Sequence, residues 1–212
     1  MENFRIGLFG GSFDPIHNGH IHVAEKLLEL GILDIIQFTP SYVSYHGKSY
    51  NASPKHRIEL ISEAIKDSKY SKSLMINTFE IHNSMSTCTY DFIDKYLHQE
   101  RNDIFNHNIE YYFIVGADNA KVIHTFKYSD KLINRIPFIV VNRGDVNIND
   151  LDWCNKEPHI IVNIGNKFSD CSSSKIRDII KNIDDGVPDN FFDDMCSPSV
   201  FEYIKKYNLY RS

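Results

Sequence analysis

Apolar positions along the chain follow two rhythms. Short runs of β-branched and aromatic residues recur at 4–10, 34–40 (DIIQFTP), 74–80 (LMINTFE), 111–116 (YYFIVG), 137–142 (PFIVVN) and 159–164 (HIIVNI), and each reads as a buried strand. Between them the spacing lengthens to that of helices. Ile21, Ala24, Leu27 and Leu28 share one face of a helix that Gly31 stops. Ser53 followed by Pro54 is a start signal for a second helix, whose apolar face carries Ile58, Ile61 and Ile65. Phe92, Ile93, Tyr96 and Leu97 stripe a third, and Ser197 with Pro198 repeats the start signal for a last helix through Tyr207. Strict alternation of strand and helix predicts an α/β fold: an open, mostly parallel sheet with helices on both faces.

Two polar segments rich in Asn and Asp, 98–108 and 144–156, interrupt the rhythm and read as surface loops. No internal repeat or linker divides the chain. Its 212 residues, 42% of them hydrophobic, suit a single domain spanning 1–212, with the last helices, about 170–210, as an appended helical part.

Charge and cysteine content narrow the function classes. A formal net charge of -5 provides no electrostatic footprint for nucleic acid or for an anionic membrane, so neither partner is expected. Cys88, Cys154, Cys171 and Cys196 stand far apart without a CxxC pair, as expected of reduced, buried thiols. The start MENFRIGLF reads as a first strand, not a leader, and no stretch approaches the ~18 apolar residues of a membrane span. A cytoplasmic protein is expected.

The chemistry concentrates in GLFGGSFDPIHNGH, residues 7–20. Gly10 and Gly11 sit at the first strand-to-helix turn, where an open parallel sheet binds ligands, and they let the backbone bend and a ligand approach. The helix beginning near His17 turns its positive end and free N–H groups toward the same spot, an anion site. His17 and His20, at i and i+3, share one face and can both donate hydrogen bonds to phosphate oxygens, with Gly19 keeping the surface between them low. His22 points off that face, and no Cys or carboxylate stands at ligand spacing, so no metal site is expected. Ser172-Ser173-Ser174-Lys175-Ile176-Arg177 forms a second helix start, with serines capping N–H groups and Arg177 projecting toward an anion at the cap. Arg143, after the 137–142 strand, could reach phosphate or solvent and stays outside the central set.

GGSFDPIHNGH resembles the signature of the nucleotidyltransferase superfamily, and SSSKIR resembles its (I)SSTxIR block. Four further stretches resemble one branch, the bacterial-type nicotinate or nicotinamide mononucleotide adenylyltransferases. These are Tyr45-His46-Gly47-Lys48 with Ser53-Pro54-Lys55-His56-Arg57; FEIHNSMSTCTYDFI, with Thr89 and Asp91 matching; Ile114-Val115-Gly116-Ala117-Asp118; and CSPSVFEYIKKYNLY at the end. The resemblance therefore runs from near the first residue to Tyr210 and implies a Rossmann-like fold.

It also implies a reaction, adenylyl transfer from ATP, carried with Mg²⁺, to the 5′-phosphate of a pyridine mononucleotide. A phosphate monoester is an adequate nucleophile, so catalysis would rest on positioning and charge stabilisation. In this reading His17 and His20 serve the α- and β-phosphates and Arg177 the β and γ. Gly10, Gly11, Gly19, Gly116, Ser173 and Ser174 bind ATP, and Asp118 holds ribose hydroxyls. Ser12 and Phe13 offer backbone N–H groups to the mononucleotide, Lys48 meets its phosphate or the leaving group, and Thr89 and Phe126 flank the pyridine.

This chain departs from the family pattern at pyridine recognition. Phe126 stands where the family commonly has a ring-stacking tryptophan, the only Trp, Trp153, lies in a loop, a glycine is inserted into the usual HK, and Cys88 occupies a site often held by tyrosine. Acid and amide mononucleotides differ by one or two hydrogen bonds, and both stay open here, as does oligomeric state. Phosphopantetheine adenylyltransferases share a very similar first block but usually carry threonine at the His17 position; cytidylyltransferases share the HxGH. A tRNA synthetase would need KMSKS and a longer chain. A non-catalytic nucleotide sensor on the same fold is the alternative outside enzymology, against which the intact His17, His20 and Arg177 count.

Overall fold

A computed structural model of the chain describes residues 4–43, 49–85, 87–101, 108–144, 151–182 and 186–211. Its elements run β1 (Phe4–Gly11), α1 (Asn18–Glu29), β2 (Ile35–Pro40), α2 (Pro54–Lys66), β3 (Leu74–Ile76), α3 (Phe79–His82), α4 (Thr89–Arg101), β4 (Ile109–Gly116), α5 (Ala117–Lys121), α6 (Ser129–Arg135), β5 (Phe138–Asn142), β6 (Ile160–Asn163), α7 (Ser173–Lys181), α8 (Phe191–Asp194) and α9 (Pro198–Lys206). The strands form one six-stranded sheet in the order β3-β2-β1-β4-β5-β6. Every pairing between neighbours is parallel. The strand order reverses direction at β1, so the crevice between the ends of β1 and β4 is the topological switch point at which such sheets bind ligands.

The strands read as continuous apolar runs because both faces of the sheet are covered. Along β1 and β4 alternate side chains serve opposite cores: Phe9 and Ile114 pack on one face with Leu27 of α1, Ile61 of α2, Ile176 of α7 and Ile204 of α9. Leu8, Phe113 and Val115 pack on the other with Ile93 of α4, Ala120 of α5 and Leu132 of α6. The helices expected to form an appended part thus share the main core through α7 and α9.

Local signals act as their chemistry dictates. Ser53 Oγ accepts the His56 N–H and Pro54 takes the first helical position of α2. Gly31, at φ +63, ends the first helical segment in the left-handed conformation that glycine adopts without steric cost. Two boundaries differ from the sequence reading. The run 74–80 is a strand only over Leu74–Ile76; Asn77 Oδ1 accepts the Phe79 N–H, and the chain turns into α3. α4 runs on to Arg101, where a loop was expected from residue 98, and 102–107 of that expected loop lie outside the described residues.

Candidate functional site

A cleft of about 580 Å³ opens over the carboxyl ends of β1, β4 and β5, lined by Gly10, Gly11, Ser12, His17, Gly19, His20, Thr89, Gly116 and Phe126 among others. Nine positions singled out in the sequence therefore converge on one surface.

The histidine pair forms the floor. His17 and His20 stack with ring centroids 3.6 Å apart and an interplanar angle of 28°. His17 is buried and His20 half-buried against the turn, with Phe13 edge-on to His20 at 5.0 Å. His20 Nδ1 accepts the backbone N–H of His17 at 3.3 Å, so a neutral His20 carries its proton on Nε2, ready to donate. His17 Nδ1 has no partner among the described residues. Burial, and then the charge of Arg143, hold the His17 pKa down to about 3. Burial, then His17 and then Arg143 hold His20 well below the usual histidine range. Two neutral rings are donors whose hydrogen bonds strengthen as charge builds on a phosphate oxygen.

The start of α1 is less open than its dipole suggests. Asn18 N donates to Met195 O at 2.9 Å and His20 N to His17 O at 2.9 Å. Cys171 Sγ donates to the same Met195 carbonyl at 3.3 Å. Side chains, rather than free helix amides, supply the donors here.

The SSSKIR helix meets the same turn from behind. Arg177 Nη1 donates to Asp14 O at 2.7 Å and its Nη2 to Ser174 Oγ at 3.1 Å, while Ser173 Oγ donates to Pro15 O at 2.7 Å. Arg177 and Ser173 thus hold the histidine turn, Ser174 orients Arg177, and none of the three lines the cleft, unlike the expected direct contacts; Ser172, whose Oγ accepts the Lys175 N–H, does line it. Phe13 is buried beneath the cleft at φ +48, and Asp118 is exposed in the first turn of α5, where the next residue, Asn119, faces the cleft instead. Lys48 lies outside the described residues. Trp153 is far from pyridine duty: its Nε1 donates to Ala120 O at 3.2 Å and its ring packs edge-on to Phe138.

Two residues of the site were not singled out in advance. Arg57 is fully buried, donating to Ser12 O and Ser41 O, each at 2.7 Å, with its guanidinium 4.2 Å over the Tyr50 ring. It ties the turn after β1 to the segment after β2. Glu80 Oε1 accepts the Tyr42 N–H at 2.7 Å on the cleft wall, and burial pushes its carboxyl up to about 7 against the opposing pull of that bond and of Arg57. The advance signals were the HR pair at 56–57 and, for Glu80, its place in the FEIHNSMSTCTYDFI stretch, where the family has an acid before the helix start; pattern alone could not reveal that an arginine on an otherwise apolar helix face bonds two loops. Among the described residues no group of three His, Cys, Asp or Glu is arranged to hold a metal, and no helix is long and apolar enough to cross a membrane.

A doubly covered parallel sheet with paired neutral histidines at its switch point defines a nucleotide-binding α/β protein built to act on phosphates. Residues 8–179 match the cytidylyltransferase-like family model, and the chain belongs to that family. It is 31% identical to the probable nicotinate-nucleotide adenylyltransferase of Bacillus licheniformis, over 98% of this chain and 99% of that one. It is 30% identical to the protein of the same description from Clostridium tetani, with the same coverage. Among solved structures, nicotinic acid mononucleotide adenylyltransferase of Plasmodium falciparum complexed with NaAD superimposes with a TM-score of 0.82 at 26% identity, covering 98% of this chain and 97% of that one. The same Plasmodium enzyme complexed with APC gives a TM-score of 0.79.

Proposed function

We propose that this protein transfers the adenylyl group of ATP to nicotinate mononucleotide, giving the dinucleotide and pyrophosphate, a step of NAD biosynthesis. The observation that carries the reading is the stacked, neutral His17–His20 pair facing a cleft at the switch point. Full-length relatives described as nicotinate-nucleotide adenylyltransferases support the choice of substrate.

In the proposed reaction an oxygen of the mononucleotide 5′-phosphate forms a bond to the α-phosphorus of ATP. The bond from that phosphorus to the bridging oxygen breaks in line, and pyrophosphate leaves with Mg²⁺, which enters as part of the ATP substrate. His20 Nε2–H and the His17 ring donate to the α-phosphoryl oxygens, where negative charge is redistributed in the transition state. Gly10, Gly11 and Gly19 keep that surface low enough for the nucleotide to lie close. Thr89 and Phe126, on the far wall, flank the pyridine. The resting phosphate needs no general base, so neutral histidines suit the chemistry better than titrating ones.

The test is pyrophosphate release from ATP and Mg²⁺ with nicotinate mononucleotide, nicotinamide mononucleotide and phosphopantetheine in parallel, products identified by mass. Dinucleotide from the nicotinate substrate is expected, and His20→Ala lowers turnover by about 10²-fold or more while the protein stays folded. Product from phosphopantetheine alone overturns the substrate assignment; bound ATP with no product from any of the three overturns the activity.

A further inference from the structure

The cleft contains a cation that motif reading leaves at its margin. Arg143 directly follows β5, is half-buried and lines the cleft. Its Nη1 lies 3.5 Å from the position a Cβ would take at Gly19, which sets the guanidinium over the start of α1 beside the His17 ring. Its charge opposes protonation of both histidines. Among the described residues no carboxylate, carbonyl or hydroxyl hydrogen-bonds to it. A guanidinium presents N–H donors in a planar fork that matches two phosphate oxygens at once, and partial burial removes water from that fork without replacing it. Arg177, also half-buried, differs in where its donors go. Its donors are committed to Asp14 O and Ser174 Oγ, behind the turn.

Neutral histidines stabilise developing charge but do not balance the several negative charges of a nucleotide triphosphate. That balance needs a cation at the same spot, and Arg143 is placed there with its donors unclaimed among the described residues. We infer that Arg143 is a further catalytic residue, gripping the nucleotide's phosphate oxygens across the start of α1, while Arg177 is a positioning residue that holds Asp14 and the histidine turn. The part of this inference that concerns turnover rests on the adenylyl transfer proposed above; the phosphate contact stands apart from it. The shared geometry also gives Arg143 two effects: it attracts the phosphate, and its charge adds to the burial that holds the neighbouring histidines neutral.

The experiment measures binding of MgATP and of pyrophosphate by calorimetry, alongside steady-state turnover, for the wild type, Arg143→Met, Arg143→Lys and Arg177→Met. Arg143→Met is expected to weaken both ligands about tenfold or more and to lower kcat about a hundredfold, with an unfolding temperature close to that of the wild type because the side chain makes no hydrogen bond among the described residues. Arg143→Lys recovers part of the affinity and less of the turnover, since a point charge replaces a fork. NMR titration adds a readout that a structural role would not move: the His17 and His20 rings protonate at higher pH in Arg143→Met. Arg177→Met instead lowers the unfolding temperature. The inference is overturned by Arg143→Met binding ATP and pyrophosphate within about twofold of wild type at unchanged turnover, or by unmoved histidine titrations. A wild type that binds both ligands but transfers adenylyl to no acceptor overturns the reaction while the Arg143→Met binding loss still supports the phosphate contact.

Discussion

The Tyr210 hydroxyl, near the end of the chain, donates to Asp14 Oδ1 at 2.9 Å beneath the histidine turn, joining residues 196 positions apart. The same carboxylate accepts from Ala52 N at 3.0 Å, Asn51 N at 2.7 Å and Asn51 Nδ2 at 3.2 Å, and the Asp14 carbonyl accepts from Arg177. A single buried aspartate therefore connects the first turn, the approach to α2, α7 and the C-terminal segment. The precision of the histidine pair depends on residues at both ends of the chain.

Tyr210→Phe removes one donor from that buried carboxylate and leaves the ring packing in place. A hydrogen bond to a charged acceptor contributes about 1.5–3 kcal/mol, so urea unfolding should show a loss of that order, accompanied by reduced kcat as the turn loosens. A midpoint equal to that of the wild type would remove Tyr210 from the network.

Gly19→Ala should separate stability from catalysis. Alanine improves helix propensity by about 1 kcal/mol, yet its Cβ would lie 3.0 Å from His17 Nδ1 and 3.1 Å from Cε1. The His17 ring, stacked on His20, has little room to yield. We expect turnover to fall about tenfold with little change in unfolding temperature. Wild-type turnover would mean that the ring moves freely.

Acid should destabilise the fold through His17. Its pKa is about 3 when folded against 6.5 when unfolded, so between those values the unfolded chain binds the extra proton. The contribution is complete above pH 6.5 and declines as pH falls through the window toward 3. At pH 5 the loss from this group is about 2 kcal/mol, at about 1.36 kcal/mol per unit. Unfolding curves collected from pH 7.5 to pH 5 check it: His17→Gln should make the dependence shallower, with His20 supplying the remainder, and an unchanged slope would place the acid sensitivity elsewhere.

Phe126→Ala tests the pyridine wall. Phe126 is half-buried, lines the cleft and packs on the edge of the core. The expected result is a KM for the mononucleotide raised about tenfold with kcat nearly kept, because a stacking contact made in both ground and transition states affects binding alone. A lowered unfolding temperature with unchanged KM would make the ring purely structural.

Local chemistry alone determined a good deal about this protein. All six strand runs, the Ser-Pro starts of α2 and α9 and the Gly31 stop follow from side-chain shape, period and backbone freedom, none of which needs a distant partner. The glycine turn followed by His17 and His20 was legible for the same reason, since the N-cap and the first turn of one helix are local neighbours and bring both rings together. Tertiary structure decided whatever depends on neighbours remote in the chain. It sent Arg177 behind the turn to Asp14, brought Arg143 and Glu80 to the cleft, and buried Arg57 between two loops. A donor's partner and a ring's proton affinity are set by desolvation and by charges that folding brings close, and those are properties of the assembled molecule.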